Sequence, residues 1–509
     1  MMESLIILPV LLQGFIAIAL MFTWQHSKFH RAISVGGNLL SVVLSGLLFY
    51  HVYHHGALAF QAGSWAAPYG VTFIADLLSA SVLLISQIAG LAVSWFTSPS
   101  MIGQRQRFGY FAIFHFLLMG LAGAFIAGDL FNLYVWFELI IISSFVLLTL
   151  GGKRAQIEGA VKYFTLNMLA SIVFLTAIAL LYGATGTLNL AELSLVVPKL
   201  ENQSYVQLVA VIFFTGFGIK AGVFPLYFWL PASYHAPPTP ISAIFAGLLT
   251  KVGVYALLRM FTLVFTVEGF NQQLMLWTAA FTIIFGGIGA LVQKNMLKAF
   301  AYLIVCHIGY MIAGLGLSSE ESIAGSVYYM FHDIIAKTNL FLIAGLMIRM
   351  SASAQLSEMG GLLNRYPKYV FLFAITLFSL IGIPPLSGFW PKIYLFKAAF
   401  LSESSTVMFG AIAAFIFATF ITLIVIIRIW NRAIAGEVRT DKTDATETKW
   451  LESLSKKERW NYFIPIGVLS VVTLFLGFGA EFLGQITQRI AYELLNPVEY
   501  IRAVGLILN

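Results

Sequence analysis

The chain has 509 residues, of which 60% are hydrophobic and only 10% are charged, and its formal net charge is +7. No water-soluble fold of this size has such a composition, whereas a polytopic membrane protein does, because each spanning helix needs about 20 apolar residues. The single cysteine, Cys306, excludes an internal disulfide and argues against a cysteine-held metal cluster. Most of the net charge lies in loops, so it indicates membrane topology rather than binding to nucleic acid.

Apolar windows predict an all-α polytopic membrane protein with 14 transmembrane helices. The first window begins almost at Met1 and lacks a basic n-region and a small-residue cleavage site, so we expect a retained helix rather than a signal peptide. The loops are short, which predicts a single bundle. In chain order the spans cover residues 3–22, 32–54, 71–96, 108–127, 130–150, 160–182, 205–228, 238–262, 273–292, 297–317, 323–348, 369–396, 407–430 and 462–484.

The Lys and Arg residues test this count of helices. Of the 29, 20 lie in loops that follow odd-numbered spans, and five, including Arg259, lie in loops that follow even-numbered spans or in the C-terminal tail. Cytoplasmic loops of membrane proteins are enriched in Lys and Arg. The odd-numbered loops are therefore predicted to be cytoplasmic and both termini to lie outside.

Two segments between the spans have a predicted structure of their own. Residues 433–461 form a long polar stretch, interpreted as a cytoplasmic loop with a short amphipathic helix near 448–459. A solvated connector explains this stretch more simply than a regulatory or partner-docking role. Residues 186–200 resemble a helix that lies on the outer membrane surface.

Five ionisable residues lie inside long apolar runs: Glu138, Lys220, Lys251, Lys337 and Lys392. Placing such a charge at the centre of a bilayer costs at least ~2.5–3.5 kcal/mol. Residues of this kind usually face the interior of a bundle or a water-filled path. They predict a route for ions or protons across the membrane.

Two of the predicted spans are interrupted by glycine and proline. The seventh carries Lys220 and then Pro225, and the twelfth carries Pro384 and Pro385 before Lys392. Proline removes a backbone donor, and the freed carbonyls are tolerated at membrane depth only inside protein or beside water. The two discontinuous helices are five spans apart. They predict two inverted five-helix repeats, spans 4–8 and 9–13, with a transport site between them.

Other polar residues have simpler interpretations. Asp76 and Asp129 lie near helix ends, where we expect capping or interfacial roles, and His51, His54 and His55 cluster near the predicted outer surface without a metal-binding pattern. The sequence contains no phosphate-binding loop, quinone-site signature, haem ligand pair or iron–sulfur motif. We therefore expect a chain that needs no cofactor or metal and does no redox chemistry itself, which argues against an enzyme.

The residues around the first break carry a resemblance to a known family. The stretch GIKAGVFPLYFWLPASYHAPPTPISAIFAGLLTKVGVYALLR (218–259) resembles the signature of the proton-antiporter family, which includes subunits of Mrp-type multisubunit Na⁺/H⁺ antiporters and membrane subunits of respiratory complex I. WFELI (136–140), AYLIVCHIGYMIAGLG (301–316), FHDIIAKTNLFLIAG (331–345) and GIPPLSGFWPKIYLFKA (382–398) extend the resemblance over spans 4 to 13.

The resemblance implies a proton pathway through the middle of the membrane. In it Glu138 is a proton-loading carboxylate coupled to Lys220, although a static buried ion pair is the simpler alternative. Desolvation disfavours charge on a buried lysine, which makes its proton available for transfer. In order, the implied pathway consists of Glu138 with Lys220, Lys251, a middle link of His332 and Lys337, and Lys392 as the terminal site.

Three further residues are weaker candidates. Asp333 is adjacent to His332 and can pair with Lys337, whereas His307 matches a histidine common in the family but serves packing equally well. His235 in the SYHAPPTP loop can border an entrance, although a role in loop structure is the simpler interpretation.

Within the family, the length, the 14 spans and the lack of a long lateral helix resemble the D-type subunits of Mrp antiporters. The resemblance implies a proton-translocating subunit of a hetero-oligomeric Na⁺/H⁺ antiporter in the plasma membrane of a prokaryote. The alternative is a proton-pumping subunit of a complex I-like or membrane-bound hydrogenase-type redox complex. The predicted divisions are N-terminal helices (1–107), a first repeat (108–262), a second repeat (273–432), a cytoplasmic loop (433–461) and a C-terminal helix and tail (462–509).

Overall fold

Long apolar helices make up most of the structure, a computed structural model that describes residues 3–23, 27–97, 102–437 and 450–506. Eleven helices in these ranges are long and apolar enough to cross a membrane. They are α2 (Ser27–His55), α3 (Leu77–Phe96), α5 (Leu130–Thr149), α6 (Arg154–Thr185), α7 (Gln203–Ala221), α8 (Thr239–Leu263), α9 (Gly269–Val292), α10 (Met296–Leu317), α11 (Glu320–Ser351), α13 (Ser405–Ile434) and α14 (Lys456–Phe478). Three shorter apolar helices are α1 (Leu8–Phe22), α4 (Tyr110–Phe125) and α12 (Pro367–Ile381).

Short elements connect and extend these helices. Two of them follow α14 at the C-terminal end, α15 (Ala480–Leu495) and α16 (Val498–Ala503). The others are the unnumbered helices Leu190–Val196, Trp229–Ser233, Leu362–Arg365, Phe389–Phe400 and Trp450–Ser453. The predicted helix within 186–200 is therefore present as a short element.

The third span begins later than the sequence predicts. Residues Thr72–Ala75 form strand β2, which pairs antiparallel with β1 (Leu58–Gln61) and places Leu58 opposite Ala75. The helix starts only at Leu77, because the Asp76 side chain accepts a hydrogen bond from the Ser79 N–H in a capping box. The predicted capping role of Asp76 is thereby confirmed, and the start at residue 71 is wrong.

The polar segment between the last two spans is shorter than predicted. Helix α13 continues to Ile434, and α14 already begins at Lys456, where Ser455 and Glu458 form a capping box. The predicted amphipathic helix at 448–459 is replaced by Trp450–Ser453 and the first turn of α14. Residues 438–449 of this prediction lie outside the described residues.

The last predicted span, 462–484, is also misplaced. The spanning helix is α14, which ends at Phe478, and a second helix, α15, begins at Ala480. The two helices meet at Gly479, so the predicted span runs across their junction.

Both interrupted helices end in the same way. Helix α7 stops before Gly222 (φ 82°) and α12 before Gly382 (φ 89°), a left-handed conformation that favours glycine. The N–H groups of Gly222 and Gly382 bond back to the carbonyls of Gly218 and Phe378. The chain then resumes as a second helical piece, Trp229–Ser233 in one case and Phe389–Phe400 in the other.

Helix α8 is buried along almost its whole length, and only Thr239 and Thr262 are half-buried. It contains a π-helical segment, Phe245–Leu249, immediately before Lys251. Gly253 brings α8 against the end of α7, since a Cβ atom at this position would lie 2.5 Å from the Ala221 nitrogen. Only glycine allows the two backbones to approach this closely.

We predict that Gly253→Ala destabilises the protein by ~1–3 kcal/mol, because the added methyl forces α8 away from the break of α7. Thermal unfolding of the detergent-solubilised protein measures the effect. Gly183→Ala is the matched control, because this helical glycine has open space around its Cβ position. Equal melting temperatures for the two variants would contradict the prediction.

Candidate functional site

Glu138 and Lys220 lie near each other without touching. Lys220 is 6% exposed, and its Nζ lies 5.0 Å from the ring centre of Phe137, the neighbour of Glu138. Among the described residues, the ion pairs within 4.0 Å do not include Glu138 with Lys220. The buried Glu138 Oε1 has no hydrogen-bond partner. The predicted pair is therefore close but open in this structure.

A small cavity borders Lys220. It has a volume of about 20 Å³ and is lined in part by Tyr163, Asn167 and Trp229. Roughly 10–15 Å³ is enough to hold one water molecule. The Lys220 ammonium therefore has room for a water molecule beside it.

Lys251 forms the closest ion pair in the centre of the bundle. Its Nζ lies 2.6 Å from Asp333 Oδ2 on α11, and both side chains are fully buried. The same Nζ donates to the Ala246 carbonyl at 3.0 Å, inside the π-helical segment of α8. Such a segment shifts the hydrogen-bond ladder of a helix and is frequent at functional sites. The local fold of α8 thus gives the ammonium a second partner.

Asp333 is shared by several cationic or basic groups. Its Oδ1 lies 4.0 Å from Lys337 Nζ and 3.7 Å from His307 Nδ1, and neither of these atoms has a hydrogen-bond partner among the described residues. The predicted pairing with Lys337 is thus secondary, since Lys251 is much closer to Asp333. The sequence missed this contact between α8 and α11. The sequence carries no signal for this contact, because Asp333 and Lys251 are far apart along the chain and meet only through the packing of α8 on α11.

His332 belongs to the second helix break. Its Nδ1 lies 2.8 Å from Ser387 Oγ, and Ser387 is in turn 2.6 Å from Ser379 Oγ. The imidazole packs on Gly388, where an added Cβ would lie 3.1 Å from the ring. Its Nε2 is buried without a partner. His332 therefore joins α11 to the segment that leads to Lys392.

Lys392 reaches back across the second break. The residue is 5% exposed, and its Nζ donates to the Ile381 carbonyl at 2.7 Å and to the Leu380 carbonyl at 3.3 Å. It also lies 5.5 Å from the ring centre of Tyr310. Carbonyls at the C-terminal end of a helix carry partial negative charge and stabilise a cation. The discontinuity of the twelfth span therefore creates the binding place of its own lysine.

The two other histidine candidates differ in position. His307 is fully buried, and its Nε2 lies 3.1 Å from Thr422 Oγ1, so it lies beside the Asp333 cluster. His235 instead contacts the Pro231 carbonyl and lines a cavity of about 420 Å³ with Glu158, Lys162 and Lys298. The structure therefore places His235 at an open polar cavity and not in the buried chain of ionisable groups.

Arg259 corrects the sequence-based count of loop charges. It lies in α8, is 4% exposed, and forms a two-pronged ion pair with the buried Asp76, with N–O distances of 2.6 and 2.8 Å. Guanidinium and carboxylate groups match in this geometry. The spacing of Lys251, Tyr255 and Arg259 at every fourth residue of one helix face was the signal for its burial.

Among the described residues, no group of three or more His, Cys, Asp or Glu side chains is arranged to hold a metal ion.

We predict that Asp333→Asn destabilises the protein by ~3–5 kcal/mol, because it leaves the buried ammonium of Lys251 without its counter-ion. The double variant Lys251→Met/Asp333→Leu removes both charges and should recover most of that stability. Melting temperatures of the solubilised variants measure both effects. A single variant as stable as the parent would show that the pair does not hold α8 to α11.

Comparison with known proteins gives the family. Residues 127–422 match the model of the transmembrane region of NADH:quinone oxidoreductase and Mrp antiporter subunits. The chain is 38% identical to the D subunit of the Na⁺/H⁺ antiporter of Alkalihalophilus pseudofirmus and 37% identical to that of Bacillus subtilis, with 99% of each chain covered.

Two solved structures share the fold. A chain of the Mrp complex from Dietzia sp. DQ12-45-1b superposes with a TM-score of 0.88 at 24% identity, over 99% of both chains. A chain of an archaeal membrane-bound sulfane sulfur reductase gives 0.86 at the same identity and coverage. The family match spans more than half of the sequence, and the full-length relatives exceed 30% identity. The chain therefore belongs to the family of membrane subunits that NADH:quinone oxidoreductases and Mrp antiporters share.

Proposed function

We propose that the chain is a D-type subunit of an Mrp-type Na⁺/H⁺ antiporter and moves protons through its centre. The observation that carries the proposal is a set of ionisable side chains, all buried except the half-buried Glu138, that come from α5, α7, α8, α10, α11 and the second part of the broken twelfth span. The set consists of Glu138, Lys220, Lys251, Asp333, His307, His332, Lys337 and Lys392.

Two lysines of this set, Lys251 and Lys337, compete for the single carboxylate of Asp333. Asp333 is fully buried and lies within 4.0 Å of both Lys251 and Lys337, yet one carboxylate balances only one ammonium. When one lysine loses its proton, the other is left as the favoured partner of Asp333. Coupled titration of this kind passes a proton along the chain in discrete exchanges. The unpaired Nε2 of His332 then offers the next acceptor toward Lys392.

Glu138 and Lys220 form the loading end in this proposal. Closed together, the two side chains stabilise each other's charge, and when they are apart each charged form is disfavoured by desolvation. The open arrangement in the structure, with Glu138 Oε1 unpaired, supports a state in which Lys220 is ready to release its proton. The 20 Å³ cavity supports a water-mediated step beside Lys220.

Ten of the 14 proposed spans form two inverted repeats, residues 108–262 and 273–432. Eleven long helices and three shorter apolar ones in the described part of the chain overlap the predicted spans and support this proposal. Helices α6 and α11 occupy equivalent places and each contain 32 residues. Lys220 precedes Gly222 by two residues, and the corresponding position before Gly382 is Leu380. The Lys392 ammonium donates a hydrogen bond to the Leu380 carbonyl. The two lysines thus bring their charges to equivalent points.

The setting of the subunit follows from its relatives. Those from Alkalihalophilus and Bacillus are named as subunits of a Na⁺/H⁺ antiporter, and the Dietzia structure is of a complex. We place this chain in a hetero-oligomeric antiporter of a bacterial plasma membrane, as a transporter subunit without a cofactor of its own. Na⁺ crosses at the level of the complex. Both termini lie outside, as the loop charges indicate.

A redox-driven complex is the second candidate. The family includes NADH:quinone oxidoreductase subunits, and the fold matches a chain of a sulfane sulfur reductase complex. In that setting the same buried chain pumps protons while electron transfer in another subunit supplies the energy. Proton movement that depends on added Na⁺ distinguishes the antiporter from this alternative.

We predict that Glu138→Ala and Lys220→Ala each abolish Na⁺/H⁺ exchange in everted membrane vesicles while the complex still assembles. Each change removes one group of the loading pair, so protons no longer enter the chain. Collapse of an imposed pH gradient after Na⁺ addition measures exchange, and immunoblots of the purified complex measure assembly.

Lys162→Ala is the matched control for these variants. Lys162 is exposed and pairs with Glu158 on its own helix, so exchange should be unchanged. Exchange at the parental rate in either Glu138→Ala or Lys220→Ala would overturn the proposed pathway.

The orientation is tested with single cysteines. Cys306 is buried, so the native thiol should not react with a membrane-impermeant reagent. We predict that Glu403→Cys, in the exposed loop after the twelfth span, is labelled in intact cells. Lys153→Cys, in the exposed loop after α5, should be labelled only in everted vesicles. The reverse pattern would place both termini in the cytoplasm.

A further inference from the structure

A second group of buried polar residues lies away from the central chain, at the end of the bundle where α3 and α5 begin and α8 ends. We call it the rim cluster, and it consists of Asp76, Asp129, Tyr255, Arg259 and Tyr500. Each of these residues is less than 9% exposed. They come from α3, α5, α8 and α16 and from the residues that cap them.

The rim cluster contains two carboxylates and one guanidinium. Both Nη atoms of Arg259 contact the Asp76 carboxylate, at 2.6 and 2.8 Å, so the negative charge of Asp76 is balanced by the guanidinium. Asp129 has no Lys, Arg or His within 4.0 Å among the described residues. It is therefore a buried carboxylate without a counter-ion in the part of the chain that the structure describes.

The two oxygens of Asp129 have different surroundings. Oδ1 accepts the N–H of Asn132 at 2.7 Å and caps α5, as the sequence predicts, whereas Oδ2 is buried with no hydrogen-bond partner. Burial raises the pKa of Asp129 to about 6, although backbone N–H groups oppose the shift. Both observations favour the protonated, neutral form of the Asp129 carboxyl.

Tyr500 provides an independent sign of a polar site. Its hydroxyl is buried without a partner, its ring lies 4.9 Å from the Arg259 guanidinium, and the Asp129 charge acts on it electrostatically. Glu192, on the short helix beside Asp129, also has a buried oxygen without a partner. Each unpaired buried polar atom calls for an explanation, and a role in catalysis or binding is one of them.

The rim cluster is connected to the central chain through α8. Arg259, Tyr255 and Lys251 follow one another at intervals of four residues, which places them on one face of the helix. The Tyr255 hydroxyl lies 3.4 Å from Arg259 Nη2 and donates to the Phe125 carbonyl at 2.6 Å. Arg259 and Tyr255 are thus in contact at the rim, and Lys251 lies one helical turn further along the same face of α8.

We propose that Asp129 is a proton-exchange site that takes up protons from water and releases them to water at this end of the bundle, where α8 leads to Lys251. Oδ2 takes a proton from hydronium, which leaves water, and returns it to water in the reverse step. This role rests on the proposed function, because it adds a terminal group to the same pathway. The ion pair with Arg259 keeps Asp76 ionised. Of the two carboxylates, Asp129 is therefore the one that changes its protonation state.

Asp129→Asn tests the proposal in the intact complex. Asparagine caps a helix as well as aspartate does, so the variant removes the proton site and keeps the start of α5. We expect Na⁺/H⁺ exchange to fall at least about tenfold, since positioned proton-transfer groups typically contribute that much or more. Asp129→Glu should restore much of the rate. Glu268→Gln is the control, an exposed carboxyl at the start of α9.

A second measurement does not depend on transport. The infrared difference spectrum of the purified complex between acid and alkaline pH should contain the C=O band of a protonated buried carboxyl. We expect this band to be lost in Asp129→Asn and kept in Glu268→Gln. If Asp129→Asn fails to assemble, the capping variant Asp129→Ser is measured in the same two ways.

The possible outcomes separate this inference from the proposed function. An unchanged rate and an unchanged infrared band in Asp129→Asn overturn the role of Asp129, even if Glu138→Ala abolishes exchange. Exchange that survives in Glu138→Ala overturns the proposed pathway itself. Loss of the band together with a slowed, Glu-restorable exchange supports the proton site.

Discussion

The ion pair between Lys251 and Asp333 is the contact on which the rest of the central site depends. It joins two deeply buried helices at a distance of 2.6 Å, with both charges fully buried. An unpaired charge at this depth is costly, and a matched pair recovers that cost only with good geometry and additional hydrogen bonds. The π-helical segment of α8 supplies the additional acceptor through Ala246. Because Asp333 also faces Lys337 and His307, a change at this pair alters every neighbouring charge.

Much of the fold was predictable because membrane insertion imposes simple rules. Apolar length located the helices, and glycine with proline located both breaks, where Gly222 and Gly382 adopt the left-handed conformation. The boundaries were less predictable where capping decides them. Asp76 starts α3 after a strand that resembles helix in sequence, because Thr72–Ala75 is nearly as apolar as the span that follows it. Ser455 starts α14 early, inside a stretch that has the composition of a polar loop.

The site was predictable as a set of residues but not as a set of partners. The buried lysines and Glu138 stood out because charge inside an apolar run is rare. Which carboxylate meets which lysine depends on how α8 packs on α11, and a single sequence contains no information about that packing. Arg259 shows the same limit, since it lies near the end of a span and resembles a loop cation until its contact with Asp76 is seen. The sequence also does not indicate whether Glu138 and Lys220 form an ion pair or lie apart, because this depends on the conformation of the two side chains and their helices.

Helix α11 is continuous from Glu320 to Ser351 and carries His332, Asp333 and Lys337 within less than two turns. Unlike the seventh and twelfth spans, it has no break that would let one part move separately from the other. A rotation or axial shift of this rod changes the surroundings of all three side chains simultaneously. In the proposed pathway, the contacts of these three side chains with α8, α10 and the second helix break would therefore change together rather than one at a time.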